Sequence, residues 1–229
     1  MPRPDLLILD CDGVLVDSEI IAARVEAEML GEAGIAITPQ ELAERYAGLT
    51  FRDILIALER ETDTPLQASL IERAERLVDE RLAREVRAVE GARETILRLG
   101  RPLCVCSNSS RARIEAMLGR TGLLPVFEGA VFSARDLSGG QPKPAPDVFL
   151  HAAEQLGAEP AHTIVLEDSV HGVTGARAAG MRVVGFTGAS HSYPGHADSL
   201  TEAGSETVIS RWADFPAVVE ALSAWSEDG

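Results

Sequence analysis

A parallel, doubly wound α/β sheet interrupted by a helical insertion is the fold this sequence predicts, on three observations. Residues 6–9 form a short, wholly apolar run that ends in Asp10, Asp12 and Gly13, the pattern of a strand buried on both faces. From Ser18 to about Arg87 no comparable run occurs, and apolar residues recur instead at spacings of three and four. After Gly91 short apolar runs alternate with amphipathic stretches, which predicts strands of one sheet joined by crossover helices.

The elements follow in order. The run at 6–9 is the first strand. In the helical stretch, Ile21, Val25, Met29 and Leu30 mark one apolar face, Ile54, Leu55 and Leu58 a second, and Leu70, Leu77 and Leu82 a third. Thr38-Pro39-Gln40-Glu41 sets one helix start. The Thr is an N-cap, Pro occupies the first helical position, and Glu three residues after the cap can reach back to it. Beyond Gly91 the pattern predicts helix 92–99, strand 102–106, helix 110–121, strand 130–132, helix 146–156, strand 163–167, helix 170–179, strands 182–186 and 207–209, and helix 214–223. Segment 189–204, rich in Gly, Ser, Pro and His, reads as a loop. One crossover helix suffices to link parallel strands, so the long path from the first strand to the second implies an inserted helical cap. The predicted division is a core of 1–16 and 90–229 and a cap of 17–89.

Composition narrows the function. A chain that is 45% hydrophobic and 25% charged is globular rather than disordered or fibrous. Its 21 Lys and Arg face 36 Asp and Glu, and the resulting formal charge of −15 disfavours nucleic acid as a partner. The same charge also opposes small anionic substrates unless something local reverses it. Cys11, Cys104 and Cys106 sit in apolar runs without metal-ligand spacing, so buried free thiols are expected. The apolar run near the N-terminus, cut by Asp10 and Asp12, is too short for a secretory signal or a bilayer span, and a cytoplasmic monomer is the default expectation.

In an open parallel sheet, ligands bind beyond the carboxyl ends of the strands. Those ends carry Asp10 and Asp12, Ser107 and Asn108, the loop residue Lys143, and Glu167 with Asp168. Carboxylates gathered at one edge raise one another's pKa unless a hard cation neutralises them, and Mg²⁺ takes such ligands while leaving positions for phosphate and water. Lys143 supplies a point charge for a phosphate oxygen, and Ser107 and Asn108 supply hydrogen bonds. Residues i and i+2 of an extended segment point the same way, so Asp10 and Asp12 can face one phosphorus. An Asp can be a covalent nucleophile and a second Asp its acid/base partner.

At these residues the sequence resembles the haloacid dehalogenase superfamily, in its helical-cap, phosphoglucomutase-like branch. Asp10-Cys11-Asp12-Gly13-Val14-Leu15-Val16-Asp17-Ser18 is similar to the first family motif, Ser107-Asn108 to the second, Lys143 in Lys-Pro-Ala-Pro-Asp to the third, and Glu167-Asp168-Ser169 to the fourth. The resemblance implies a Rossmann-like core under a helical cap. It implies Asp10 as nucleophile and Asp12 as general acid/base. Mg²⁺ would be held by Asp10, the Asp12 carbonyl, Asp168 and Glu167, the last directly or through water, and the phosphoryl group by Ser107, Asn108 and Lys143. Phosphoglucomutase members usually carry a His where this chain has Ala22, which favours hydrolysis over phosphomutase activity. The Asp-Cys-Asp-Gly, Pro-Leu-Cys-Val-Cys-Ser-Asn and Phe149-Leu150-His151-Ala152-Ala153 segments are most similar to bacterial sugar-phosphate and phosphogluconate phosphatases, implying a small phosphorylated metabolite as substrate.

A receiver-like phospho-Asp signalling module shares this residue inventory, but places its metal acids before a central Asp and has no helical insert. Other residues read as structural. Asp17 and Asp147 read as structural, Asp147 at a helix start; capping by Ser107 and Asn108 is compatible with phosphate binding, and capping by Glu167 and Asp168 is the minority reading beside Asp10. Arg52, after Gly48-Leu49-Thr50-Phe51, suits a substrate-contacting cap loop or a surface ion pair about equally. Gly172, Gly175 and Gly180 do not form a dinucleotide fingerprint and are expected to allow close helix packing. His191 and His196 have no partner at ligand spacing and are expected in solvent; Trp212 and Trp225 are expected to pack near the last helix.

Overall fold

The computed structural model describes residues 6–46, 50–62, 65–66 and 68–225. Six strands form one wholly parallel sheet in the order β3-β2-β1-β4-β5-β6. They are β1 (Leu6–Leu9), β2 (Leu103–Ser107), β3 (Val131–Ser133), β4 (Thr163–Glu167), β5 (Arg182–Phe186) and β6 (Thr207–Ile209). β1 is central, with Ile8 in register with Cys104 on one side and Val165 on the other.

The period-2 geometry of the strands divides the core into two. Leu7, Leu9, Val105, Ile164, Leu166 and Val184 face one apolar cluster. Leu6, Ile8, Cys104, Cys106, Val165 and Val183 face the other, together with Phe149 and Val173 from the helices behind. Both faces are covered, so the strands carry few polar side chains. All three cysteines are buried and free.

The insertion holds α1 (Glu19–Glu32), α2 (Pro39–Arg45), α3 (Phe51–Thr62) and α4 (Ser69–Glu85). Its apolar faces bury Ile21, Val25, Met29 and Leu30 of α1, Ile54, Leu55 and Leu58 of α3, and Leu70, Ala74, Val78 and Leu82 of α4. Leu77, expected on the α4 face, is only partly buried because Ala74 and Val78 take the inner positions. The capping box at Thr38 and Glu41 is present as predicted. Two backbone hydrogen bonds tie the ends of the insertion together, Asp17 N–H to Arg87 O and Val89 N–H to Leu15 O, each 3.0 Å.

The rest of the chain supplies α5 (Ala92–Leu99), α6 (Arg111–Thr121), α7 (Asp147–Leu156), α8 (Val170–Ala178), α9 (His196–Glu202) and α10 (Phe215–Trp225). α9 corrects the loop expected at 189–204. It has seven residues, and its side chains are mostly polar with only His196 and Leu200 buried, too few apolar positions to show a helical period. Trp212 is fully buried as expected, whereas the Trp225 side chain lies outside the described residues, as do Gly48 and Leu49. No helix among the described residues is long and apolar enough to cross a membrane.

Trp212 pins the turn after β1 to the C-terminal end of the chain. Its Nε1–H donates to the Val14 carbonyl at 2.9 Å, and its ring lies against Phe186 and Phe215. Trp212→Ala empties a buried site and orphans that carbonyl, so the expected loss is about 3–5 kcal/mol of unfolding free energy. Urea denaturation of the metal-free protein checks it, with exposed Leu97→Ala, expected within about 0.5 kcal/mol of the parent, as control.

Candidate active site

With β1 and β4 adjacent at the centre, their successive crossovers run to opposite sides, and a crevice opens at the carboxyl ends of these strands. Asp10 follows β1 directly, held to the edge of β4 by its N–H to Leu166 O at 3.0 Å. Glu167 is the last residue of β4 and Asp168 the next. β2 ends at Ser107, and Lys143 enters from the loop before α7.

Lys143 is the centre of this group. Its Nζ donates to Asp10 Oδ1 at 2.6 Å, Glu167 Oε1 at 2.5 Å and the Cys106 carbonyl at 2.8 Å. An ammonium has three protons, and all three are used. The Phe149 ring lies 5.0 Å below it. Burial pulls the Lys143 pKa down, but Asp10 and Glu167 outweigh it and hold the ammonium well above its ordinary range. Asp10 moves the other way from a normal acid. Burial raises its pKa well above the usual carboxylate value, Lys143 offsets part of this, and Glu167, Asp168 and Asp12 push it further up.

Asn108 works on Lys143 rather than standing free. Its Oδ1 accepts from the Lys143 N–H at 2.8 Å and its Nδ2 donates to the Lys143 carbonyl at 3.2 Å, a two-point clamp that fixes the lysine's backbone. Asp12 turns toward hydroxyls. Oδ1 accepts from Ser18 at 2.7 Å, and Oδ2 from Ser109 at 2.9 Å and Ser107 at 3.1 Å. Ser18 and Ser109 are not among the predicted site residues; Ser18 closes the first motif, and Ser109 is signalled by nothing but its place after Asn108.

The helix-cap alternative for these residues does not hold. Ser110 caps α6 and Ser169 caps α8, which leaves Ser107, Asn108, Glu167 and Asp168 to the crevice. Glu167 Oε2 accepts from the Ser169 N–H and hydroxyl at 3.1 and 3.0 Å, so both its oxygens are oriented. Gly172 makes room for it: a Cβ there would lie 1.8 Å from Glu167 Oε1. Gly175 does allow close packing, but against the loop backbone of Pro144 and Ala145 and the Phe149 ring rather than the sheet, and a Cβ on Gly180, whose φ is 78°, would have no neighbour within 4 Å among the described residues. Asp17 and Asp147 are structural, accepting from the Ser190 and Gln141 N–H groups. Arg52 is exposed on α3.

The expectation for His191 and His196 is overturned. His191 Nε2 pairs with Asp168 Oδ2 at 3.0 Å, and buried His196 places Nε2 at 2.6 Å from the Asp168 carbonyl. Burial lowers the His191 pKa, but its bond to Asp168 prevails and carries it up to about 9, whereas burial keeps His196 low. Sequence spacing hides these contacts, because the partner lies just beyond β4 and is brought close by the pairing of β4 with β5.

Oxygens of Asp10, Glu167 and Asp168 lie within 4.8 Å of one another, all buried, and this triad is able to hold a metal ion. Hard carboxylate oxygens in a crevice whose one buried ammonium does not balance their charge fit a divalent cation. The Asp12 side chain is not in the triad, which leaves only its carbonyl for that role.

The sequence profile of the haloacid dehalogenase-like hydrolases matches residues 4–180. The chain is 33% identical to the 6-phosphogluconate phosphatase of Escherichia coli K12 over 199 residues, covering 85% of this chain and 87% of that protein. Its fold superposes on a conserved haloacid dehalogenase-like protein of unknown function from Agrobacterium tumefaciens with a TM-score of 0.92, at 55% identity, covering 96% of this chain and 99% of that one. A hydrolase from Deinococcus radiodurans, solved with bound phosphate and sodium, gives a TM-score of 0.83 at 32% identity, covering 97% and 98% of the two chains.

Lys143→Met leaves Asp10 and Glu167 buried without their counter-charge, and the expected destabilisation is about 3–5 kcal/mol at neutral pH. Without the ammonium the raised folded pKa of Asp10 rises further, because Lys143 no longer offsets it. The folded chain then binds more protons than the unfolded one, and stability falls as pH rises through the window above the normal carboxylate pKa. The deficit relative to the parent is therefore expected to grow from pH 5 to pH 8, measured by urea denaturation in chelator; a deficit constant across that range would contradict the charge argument.

Proposed function

Because the chain belongs to the haloacid dehalogenase-like hydrolases, we propose that it is a Mg²⁺-dependent phosphatase of small phosphorylated metabolites, acting through a phosphoryl group carried on Asp10. The observation that carries this reading is the buried Asp10 carboxylate, bonded to Lys143 at 2.6 Å in the crevice with Asp12 two residues on. The named relative acts on a sugar-acid phosphate, and a sugar phosphate or sugar-acid phosphate is the substrate class proposed for this chain.

Asp10 attacks phosphorus while the ester oxygen departs on the far side, and Asp12 gives that oxygen a proton. Asp12, now ionised, takes a proton from water, whose oxygen attacks the phosphorus of the acyl phosphate; inorganic phosphate leaves and the Asp10 carboxylate returns. Ser107 holds a phosphoryl oxygen, Lys143, its three protons already bonded, offsets phosphoryl charge beside Asp10, and Asn108 contributes by fixing Lys143. Mg²⁺ at Asp10, Glu167, Asp168 and the Asp12 carbonyl would supply charge that keeps Asp10 ionised and offsets the transferring phosphoryl group.

The cap is proposed as residues 17–89, folding over the crevice to exclude water during the first transfer. Support comes from the paired backbone at Leu15–Asp17 and Arg87–Val89 and from the ion pair between Arg113 of α6 and Asp79 of α4 at 2.6 Å.

Phosphate release from a panel of sugar, sugar-acid and nucleoside phosphates tests the reading. Asp10→Asn is expected to abolish turnover, Asp12→Asn to lower kcat by about 10²–10⁴-fold, and chelation to stop the parent until Mg²⁺ is restored. Substantial phosphate release by Asp10→Asn, or conversion of glucose-1-phosphate to an isomer in place of inorganic phosphate, would overturn it.

A further inference from the structure

We propose that His191 is a positioning residue for the metal ligand Asp168, backed by His196, and that the loop between β5 and α9 sets the affinity of this site for its divalent cation. The proposal rests on the metal-dependent reading above.

A carboxylate that binds a cation through one oxygen needs its other oxygen and its rotation fixed, or each binding event must first order it. His191 does this for Asp168. Its Nε2 engages Oδ2 at 3.0 Å and leaves Oδ1 for the cation. Its Nδ1 is buried without a hydrogen-bond partner among the described residues, so the ring's polar contact is spent on Asp168. The position is built from three sides. Gly13 has a φ of 74°, and a Cβ there would lie 1.9 Å from Asp168 Oδ2 and 2.7 Å from His191 Cε1, so only the bare backbone after Asp12 admits the pair.

His196 fixes the main chain of the same residue, its Nε2 at 2.6 Å from the Asp168 carbonyl. Tyr193 stacks on its ring at 4.7 Å, and Ser192 Oγ lies 3.3 Å from its Nδ1 while donating to the Thr187 carbonyl at 2.8 Å. Ser190 N–H donates to Asp17 Oδ1 at 3.2 Å, which anchors the loop where the insertion leaves the core. Side chain and backbone of Asp168 are thus held by two imidazoles, one from the braced loop before α9 and one from the first residue of α9, while Glu167 is held separately by Lys143 and Ser169.

Titration calorimetry of the chelator-stripped enzyme with MgCl₂ tests the assignment. His191→Ala is expected to weaken Mg²⁺ binding by about 10- to 100-fold, with kcat at saturating Mg²⁺ changing far less than the Mg²⁺ concentration needed for half-maximal rate. His191→Gln, which keeps an N–H donor, is expected to recover part of the affinity and serves if the alanine variant fails to fold. Mg²⁺ binding by either variant as tight as the parent's, or tighter, overturns the proposal, including where only the melting temperature of the stripped protein falls. A parent enzyme that binds no Mg²⁺ overturns the metal-dependent reading instead.

Discussion

One buried ammonium holds the crevice together. Asp10, Glu167 and Asp168 converge where β1 and β4 end, all three buried, and carboxylates so placed repel unless a positive charge lies among them. Lys143 provides that charge with every proton bonded. Much of the neighbouring chemistry serves to keep it there: the Asn108 clamp on its backbone, the Cys106 carbonyl as third acceptor and the Phe149 ring beneath it. Three carboxylates against the Lys143 ammonium and the His191 imidazole leave the charge short of balance. That residual imbalance makes the crevice a place for a cation, and with the cation a place for phosphate, in a chain whose overall charge of −15 would otherwise repel it.

Missing side chains matter as much as those present. Glu167 occupies the volume a Cβ on Gly172 would fill, and Asp168 the volume beside Gly13. Gly13 follows Asp12 and Gly172 follows Glu167 at short range, so the turns that aim the carboxylates also leave space for them. The insertion begins at the same place. The backbone bonds between Leu15–Asp17 and Arg87–Val89 return the chain to the sheet a few residues from where it left, so a helical unit can be accommodated without disturbing β1.

Most of the sheet was legible because buried strands and crossover helices have distinct periods, and β1 to β6 fall within a residue or two of the predicted runs. The acids and Lys143 were legible because parallel topology forces strand ends together, so four separated segments could be read as one place. What escaped was the contribution of residues whose partners are set by strand pairing rather than by sequence distance. His191 and His196 looked solvated, yet β5 beside β4 carries their loop onto Asp168. Ser18 and Ser109 looked incidental, yet both donate to Asp12. Asn108 was legible as a site residue but not as the clamp on Lys143, because a carboxamide's partners cannot be read from its neighbours in the chain.

The proposed reaction stands or falls with Asp10 as the carrier of the phosphoryl group. The most direct measurement is peptide mapping by mass spectrometry of Asp12→Asn, acid-quenched after mixing with Mg²⁺ and acetyl phosphate. Acetate leaves without needing Asp12 as an acid, so the intermediate can form, and its hydrolysis is slowed. The account predicts one phosphoryl adduct, on the peptide and residue bearing Asp10, absent when Asp10 is also changed to Asn. An adduct on another residue, or one that persists without the Asp10 carboxylate, would contradict it.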